Sequence, residues 1–176
     1  MTQEPARASG AAADATAVAV AGQHWSALER LLARYGLLFE AIHGDSDLPG
    51  SHWGDPEAGV IGHTVFARPT TPVHSVLHEA CHVVCMDRSR RARLDTDAGG
   101  DYDEENGVCY LQIVLADHVD HYGRARCEQD MDAWGYSFRL GSARAWFEQD
   151  AQDAREWLLG HSLIDPDNAP TWRLRD

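Results

Sequence analysis

Residues 73–85 read VHSVLHEACHVVC. Prolines precede this stretch, and apolar residues flank its polar centre, so we predict a helix from about Val73 to Asp87. By helical phase, Leu77, Cys81 and Val84 form the side that faces the core. The helix is therefore expected to be largely buried, with the other elements packed around it.

The centre of this helix, His78-Glu79-Ala80-Cys81-His82, has the pattern His-Glu-x-x-His. Residues four apart share a helix face, so both imidazoles can bind one divalent ion. Glu79 lies about 100° further round the helix axis, where it can approach a metal-bound water without binding the metal. The pattern predicts a metal site with Glu79 as catalytic residue. The alternative is a structural helix with two hydrogen-bonded histidines.

A third protein ligand is expected from two adjacent glutamates at the start of the next long helix. Glu105 shares a helix face with Cys109 and Gln112, whereas Glu104 lies on an apolar face with Val108. Glu105 is therefore the first candidate and Glu104 the second. Acidic residues also favour helix N-termini because the helix dipole is positive there, which explains one glutamate without a metal.

The hydrophobic periodicity predicts an α+β fold: a mostly helical single domain with a small N-terminal sheet. Strands are expected at residues 37–42 and 60–67, and loops at 44–59 and 88–100. The predicted helices cover residues 23–35, 73–87, 103–122, 126–140 and 142–159, with Ser142 as an N-cap.

One catalytic domain is predicted over residues 22–176, in which the His-Glu-x-x-His helix packs against the glutamate-bearing helix. Residues 1–21 are rich in alanine and are predicted to be a mobile tail. They lack the basic start and the apolar centre of a signal peptide.

The 176 residues carry a formal net charge of −13, and 44% of them are hydrophobic. The length and the hydrophobic share are typical of one globular domain. The negative charge disfavours direct contact with nucleic-acid phosphates. No apolar run is as long as a membrane-spanning helix, which needs about 20 residues. We therefore expect a cytoplasmic protein that binds neither nucleic acid nor a membrane.

The four cysteines form no Cys-x-x-Cys pair, and we expect them to be buried, reduced thiols. A disulfide or a metal role is the alternative for them.

His63 and His74 are expected to orient a ligand or the substrate. The pairs His118/His121 and Asp117/Asp120 are expected to form a polar helix end, with a second cation site as the alternative. An arginine cluster is expected to form a charged loop or to bind a carboxylate or phosphate; it comprises Arg88, Arg90, Arg91 and Arg93.

This sequence resembles two known protein families. The zincin metallopeptidases share the His-Glu-x-x-His pattern and a downstream glutamate, here Glu104 or Glu105. More narrowly, residues 36–115 are similar to the bacterial elongation factor P hydroxylase family. The matching features are a Val-Phe-Ala strand, a Leu-His-Glu-x-x-His helix, an Arg-Arg pair and a glutamate-bearing helix, here Val65–Ala67, Leu77–His82, Arg90-Arg91 and Glu105 with Leu111 and Gln112.

This second resemblance implies a mononuclear non-haem iron site with His78, His82 and Glu105 as ligands. It also implies an oxidoreductase that hydroxylates a modified lysine of a protein substrate, elongation factor P.

Three functions remain open from the sequence. The first is a hydroxylase that uses Fe(II). The second is a zinc metallopeptidase or other hydrolase, in which Glu79 is the general base and residues 59–68 offer a free strand edge to the substrate. The third is a binding module with a structural metal, for which Cys85 or Cys109 would supply a fourth ligand.

Overall fold

The helix that carries the motif runs through the centre of the protein, and all 13 of its residues are buried. The computed structural model describes residues 17–44, 46–51 and 56–176. Within these ranges the chain forms one compact, mostly helical domain with a three-stranded sheet, so the predicted α+β class is confirmed. The elements are α1 (Gln23–Ala33), β1 (Leu38–Ala41), β2 (Gly59–Ile61), β3 (Thr64–Ala67), α2 (Val73–Cys85), α3 (Arg88–Arg91), α4 (Tyr102–Ala116), α5 (Arg124–Trp134), α6 (Ala143–Gln149) and α7 (Gln152–Gly160).

The sheet has the strand order β1-β3-β2. β1 is parallel to β3, and β2 pairs with β3 in the antiparallel direction. The prediction of one strand over residues 60–67 was therefore wrong. The chain reverses between β2 and β3 at Gly62, whose φ is +57°, a left-handed conformation that glycine adopts without strain.

The outer edge of β2 is covered by residues 94–96. The amide of Gly62 donates to the carbonyl of Leu94 at 3.0 Å, and the amide of Thr96 donates to the carbonyl of Val60 at 3.4 Å. These bonds occupy backbone groups that an added strand would need. The free edge that a peptidase would need is therefore not present in this segment, since β3 is the central strand and β2 is covered on its other side.

α4 lies between α2 and α7 and completes the core. Every residue from Asn106 to Ala116 is buried. The four cysteines are free and buried among these helices, as predicted. α4 is the longest helix in the described ranges, with 15 residues, and no helix in these ranges is both long enough and apolar enough to cross a membrane.

Two predicted helices extended too far toward the C-terminus. α4 ends at Ala116 rather than at Tyr122. α5 ends at Trp134 rather than at Leu140, because Gly135 follows it with a φ of +93°. A glycine in the left-handed conformation is a common helix stop, and the apolar residues beyond it had suggested a longer helix.

The remaining comparisons concern the helices α6 and α7 and the short helix α3. Residues 142–159 form α6 and α7 instead of one helix, with the break at Asp150 and Ala151. The predicted N-cap is confirmed, since the Ser142 hydroxyl accepts from the amide of Ala145 at 3.1 Å. The predicted loop over residues 88–100 begins with the short helix α3.

Of the predicted tail, residues 1–16 lie outside the described residues. Residues 17–21 do pack against the domain, so the predicted boundary lay too close to α1. Val20 is fully buried and its amide donates to the carbonyl of Thr71 at 2.9 Å. The amide of Val18 donates to the Asp130 carboxylate at 3.1 Å. These bonds fix the segment between α2 and α5.

The contact between α4 and α7 depends on a glycine. A Cβ atom on Gly107 would lie 2.7 Å from Cε3 of Trp157. We expect Gly107→Ala to lower the free energy of unfolding by about 1–2 kcal/mol, because overpacking outweighs the gain in helix propensity. Urea unfolding measures the change. Gly160→Ala is the control, since its Cβ would meet nothing within 4 Å; equal effects of both substitutions would contradict the packing argument.

Candidate metal centre

Three side chains with metal-binding atoms meet where α2 and the start of α4 come together. They are His78, His82 and Glu105, and one ligand atom of each lies within 4.8 Å of the others. The two Nε2 atoms of the histidines are 3.0 Å apart. Nδ1 of His82 lies 3.7 Å from Oε1 of Glu105. In the described part of the chain this is the one group of its kind.

The helix geometry explains the position of both histidines. Residues four apart lie on adjacent turns of α2, and the two rings meet edge to face, with centroids 4.6 Å apart. His78 is 2% exposed and His82 is 6% exposed. Two ring nitrogens this close, and buried, require a proton or a cation between them, because both carry lone pairs when deprotonated.

Glu105 reaches the histidines from the first turn of α4. Its Oε1 accepts a hydrogen bond from the amide of Gly100 at 2.8 Å. Its side chain is 22% exposed, more than either histidine, so the group opens toward solvent on the Glu105 side. The helix N-terminus and the Gly100 amide both favour the ionised carboxylate, the form that binds a divalent ion.

Glu104 lies outside this group, and the second of the two sequence candidates is thereby corrected. Nη1 of Arg90 donates to both of its carboxylate oxygens, at 2.7 Å and 2.8 Å. Nη1 of Arg175 donates to Oε2 at 3.0 Å. The physical reason is the helix phase: Glu104 faces inward from α4, with its side chain 4% exposed, and two arginines balance its charge.

Gln112 and Tyr136 also contact the histidines. Oε1 of Gln112 lies 3.0 Å from Nδ1 of His78. The ring of Tyr136 meets His78 edge to face with centroids 5.7 Å apart, and it meets His74 in the same way at 5.9 Å. The contact with Gln112 was not predicted, although the helix face that Gln112 shares with Glu105 is a signal that could have indicated it. No signal in the sequence indicated Tyr136, which follows α5 in a segment predicted to be helical.

Glu79 follows His78 on α2 and is 9% exposed. It is therefore a buried carboxylate within the same two turns as both histidines. The group of possible ligands does not include it, and its role as catalytic residue stays a prediction.

The other candidate residues have different surroundings. His74 is fully buried beside the site, edge to face with Trp134 at 5.0 Å between centroids. His63 is exposed in the turn between β2 and β3. His118 packs on Trp172, with centroids 5.1 Å apart.

Asp117 and Asp120, the carboxylates of the alternative second cation site, both pair with arginines. Asp117 pairs with Arg124 at 2.9 Å, and Asp120 pairs with Arg30 at 2.8 Å. A polar helix end is therefore the better interpretation of this region, and His121 is exposed there.

The arginine cluster is divided: Arg88 and Arg93 are exposed, whereas Arg90 and Arg91 bind groups within the protein. Arg90 binds Glu104, and Arg91 is buried, where its Nε donates to the carbonyl of Val83 at 2.9 Å and its Nη2 to that of Met86 at 2.6 Å. Arg90 thus binds a carboxylate of the chain itself, and Arg91 satisfies carbonyls at the end of α2.

Compared with known proteins, the chain matches no protein family, no curated sequence and no solved structure. A functional conclusion must therefore start from the site. Its donor set fits one divalent ion, because two imidazoles and a carboxylate are common ligands of both zinc and non-haem iron.

Proposed function

We propose that this protein is a metal-dependent enzyme that holds one divalent ion between His78, His82 and Glu105. The observation that carries the proposal is the meeting of their three ligand atoms within 4.8 Å, from two different helices. Three protein ligands leave positions at the ion for reactants, as is usual in catalytic sites.

A structural metal is a weaker explanation of the same residues. Structural zinc sites have four protein ligands, often cysteines. Cys85 and Cys109 are both buried, and neither belongs to the group formed by the two histidines and Glu105.

The reaction we propose is hydroxylation of a protein side chain, with Fe(II) as the ion. Its support is the ligand set, which non-haem iron oxygenases share, and the similarity of residues 36–115 to the elongation factor P hydroxylases. A modified lysine on elongation factor P is therefore the proposed substrate. When bound, the iron would activate O2: one oxygen atom enters a C–H bond, and the other leaves as water with two protons and two electrons from a soluble reductant.

Glu79 favours a second candidate, a zinc-dependent hydrolase. A buried carboxylate beside the ligands suits a general base that takes the proton of an attacking water. The covered edge of β2 argues against one form of this candidate, a peptidase that binds its substrate as an added strand. A hydrolase for a compact substrate does not need that edge.

Metal content is the first test. We expect protein purified anaerobically, without an affinity metal, to contain about one equivalent of iron by mass spectrometry and His78→Ala to contain none. Lysine-modified elongation factor P incubated with the enzyme, O2 and a reductant should then gain the mass of one oxygen atom. Absence of any metal from the wild-type protein would contradict the proposal.

Zinc in place of iron would select the second candidate. In that case Glu79→Gln should abolish hydrolysis while zinc stays bound, because the variant removes the base but no ligand. Retained hydrolysis in Glu79→Gln would exclude Glu79 as the general base.

A further inference from the structure

Gln112 connects α4 to two successive turns of α2. Its side chain is fully buried. Its Nε2 donates to the backbone carbonyl of His74 at 2.9 Å, and its Oε1 lies 3.0 Å from Nδ1 of His78. A buried primary amide is costly unless its donors and acceptor are satisfied, and these two contacts hold it in one orientation.

The orientation of the amide determines where the proton of His78 lies. A backbone carbonyl only accepts, so the Gln112 atom that faces His74 must be the NH2 group. The atom that faces His78 is then the amide oxygen, which also only accepts. Nδ1 of His78 must therefore carry a proton, and in the neutral ring Nε2 is left with a lone pair. That lone pair faces Nε2 of His82 at 3.0 Å.

We propose that Gln112 is a positioning residue that keeps His78 in the Nδ1–H tautomer, so that Nε2 is the metal-binding atom. The consequence for catalysis rests on the proposed function. The tautomer itself does not, since it follows from hydrogen bonds within the protein. Partners of this kind fix the ring orientation of metal-binding histidines, and their loss typically lowers metal affinity about 10–100-fold.

An amide is the side chain that suits this place. It offers an acceptor to His78 and a donor to the carbonyl of His74 at the same time. A carboxylate of the same length would face that carbonyl with a second acceptor, unless it were protonated. Gln112→Glu is therefore not a conservative substitution here, although glutamate would accept from His78 equally well.

The first experiment needs no metal. Long-range 1H–15N NMR spectra of the metal-free, full-length protein distinguish the two tautomers of a neutral histidine, and they would be recorded well above its ordinary pKa of about 6.5. We expect His78 to show the Nδ1–H pattern, with His78→Ala used to assign the signals. An Nε2–H pattern, or an average of both, would overturn the proposal.

The second experiment compares two substitutions at adjacent buried positions. Gln112→Met removes both hydrogen bonds at similar volume, and Leu111→Met changes the packing at the adjacent position without removing a hydrogen bond. We expect Gln112→Met to weaken Zn²⁺ binding about 10–100-fold in a chelator competition and to disturb the tautomer. Leu111→Met should change neither. Equal Zn²⁺ affinity and an unchanged tautomer in Gln112→Met would overturn the proposal.

The two experiments separate this inference from the proposed function. A wild-type protein with the Nδ1–H tautomer but no metal affinity would support the role of Gln112 and contradict the metal enzyme. A protein that binds metal with His78 in the Nε2–H form would contradict the role of Gln112 and leave the metal enzyme intact.

Discussion

Glu105→Gln should weaken metal binding by more than the about 10–100-fold that is typical of losing a partner beyond the ligands, because it removes a ligand itself. The substitution keeps the side-chain shape, and the amide oxygen can still accept from the Gly100 amide, which bonds Glu105 at 2.8 Å. The local fold should therefore persist while the negative charge is lost. Competition with a chromogenic chelator measures the affinity for Zn²⁺ or Fe(II).

The adjacent residue provides the matched control for this prediction. Glu104→Gln makes the same chemical change one position earlier, on a carboxylate that binds Arg90 and Arg175 instead of the histidines. Its metal affinity should stay close to that of the wild type. If Glu104→Gln lost the metal and Glu105→Gln retained it, Glu104 rather than Glu105 would be the metal ligand.

The central helix and its two histidines were predictable because their signals are local. The spacing of His78 and His82 places both rings on one side of any helix, and the flanking apolar residues indicate burial. The choice of Glu105 over Glu104 also followed from helix phase, since Glu105 shares a face with Gln112. A period of 3.6 residues carries this information in the sequence itself.

The partners of Glu104 were not predictable in the same way. Arg90 lies 14 residues before it, and Arg175 lies 71 residues after it. Only the tertiary fold brings the C-terminal segment back to the end of α2, where the amide of Arg175 donates to the carbonyl of Val84 at 2.9 Å. Tyr136 follows α5, and His78 lies on α2. Their contact therefore also depends on the packing of these two helices in the tertiary fold.

The reversal at Gly62 and the helix end at Gly135 were missed for a different reason. Each is a single glycine inside a stretch with regular hydrophobic periodicity, so periodicity alone favoured one continuous element. A glycine inside such a pattern can be tolerated within one continuous element, or it can adopt the left-handed conformation and end the element. The backbone conformation decides between them, with φ of +57° and +93° here.

Glu104→Gln, which should leave the metal in place, is expected to be the more destabilising of the two glutamine substitutions. It removes a carboxylate that is 4% exposed and leaves Arg90 and Arg175 without its charge. Breaking a buried ion pair from one side costs about 3–5 kcal/mol. We expect about 3 kcal/mol, at the lower end, because the arginine side chains are 33% and 24% exposed and water can solvate them.

Urea unfolding of the metal-free protein measures this loss without a contribution from metal binding, which would add its own stability. The control is Glu148→Gln, which breaks a surface ion pair with Arg144 whose side chains are 51% and 71% exposed, and which should cost less than about 1 kcal/mol. A double-mutant cycle with Arg90→Met isolates the pair itself. If Glu104→Gln were no more destabilising than Glu148→Gln, the arginines would not hold the start of α4.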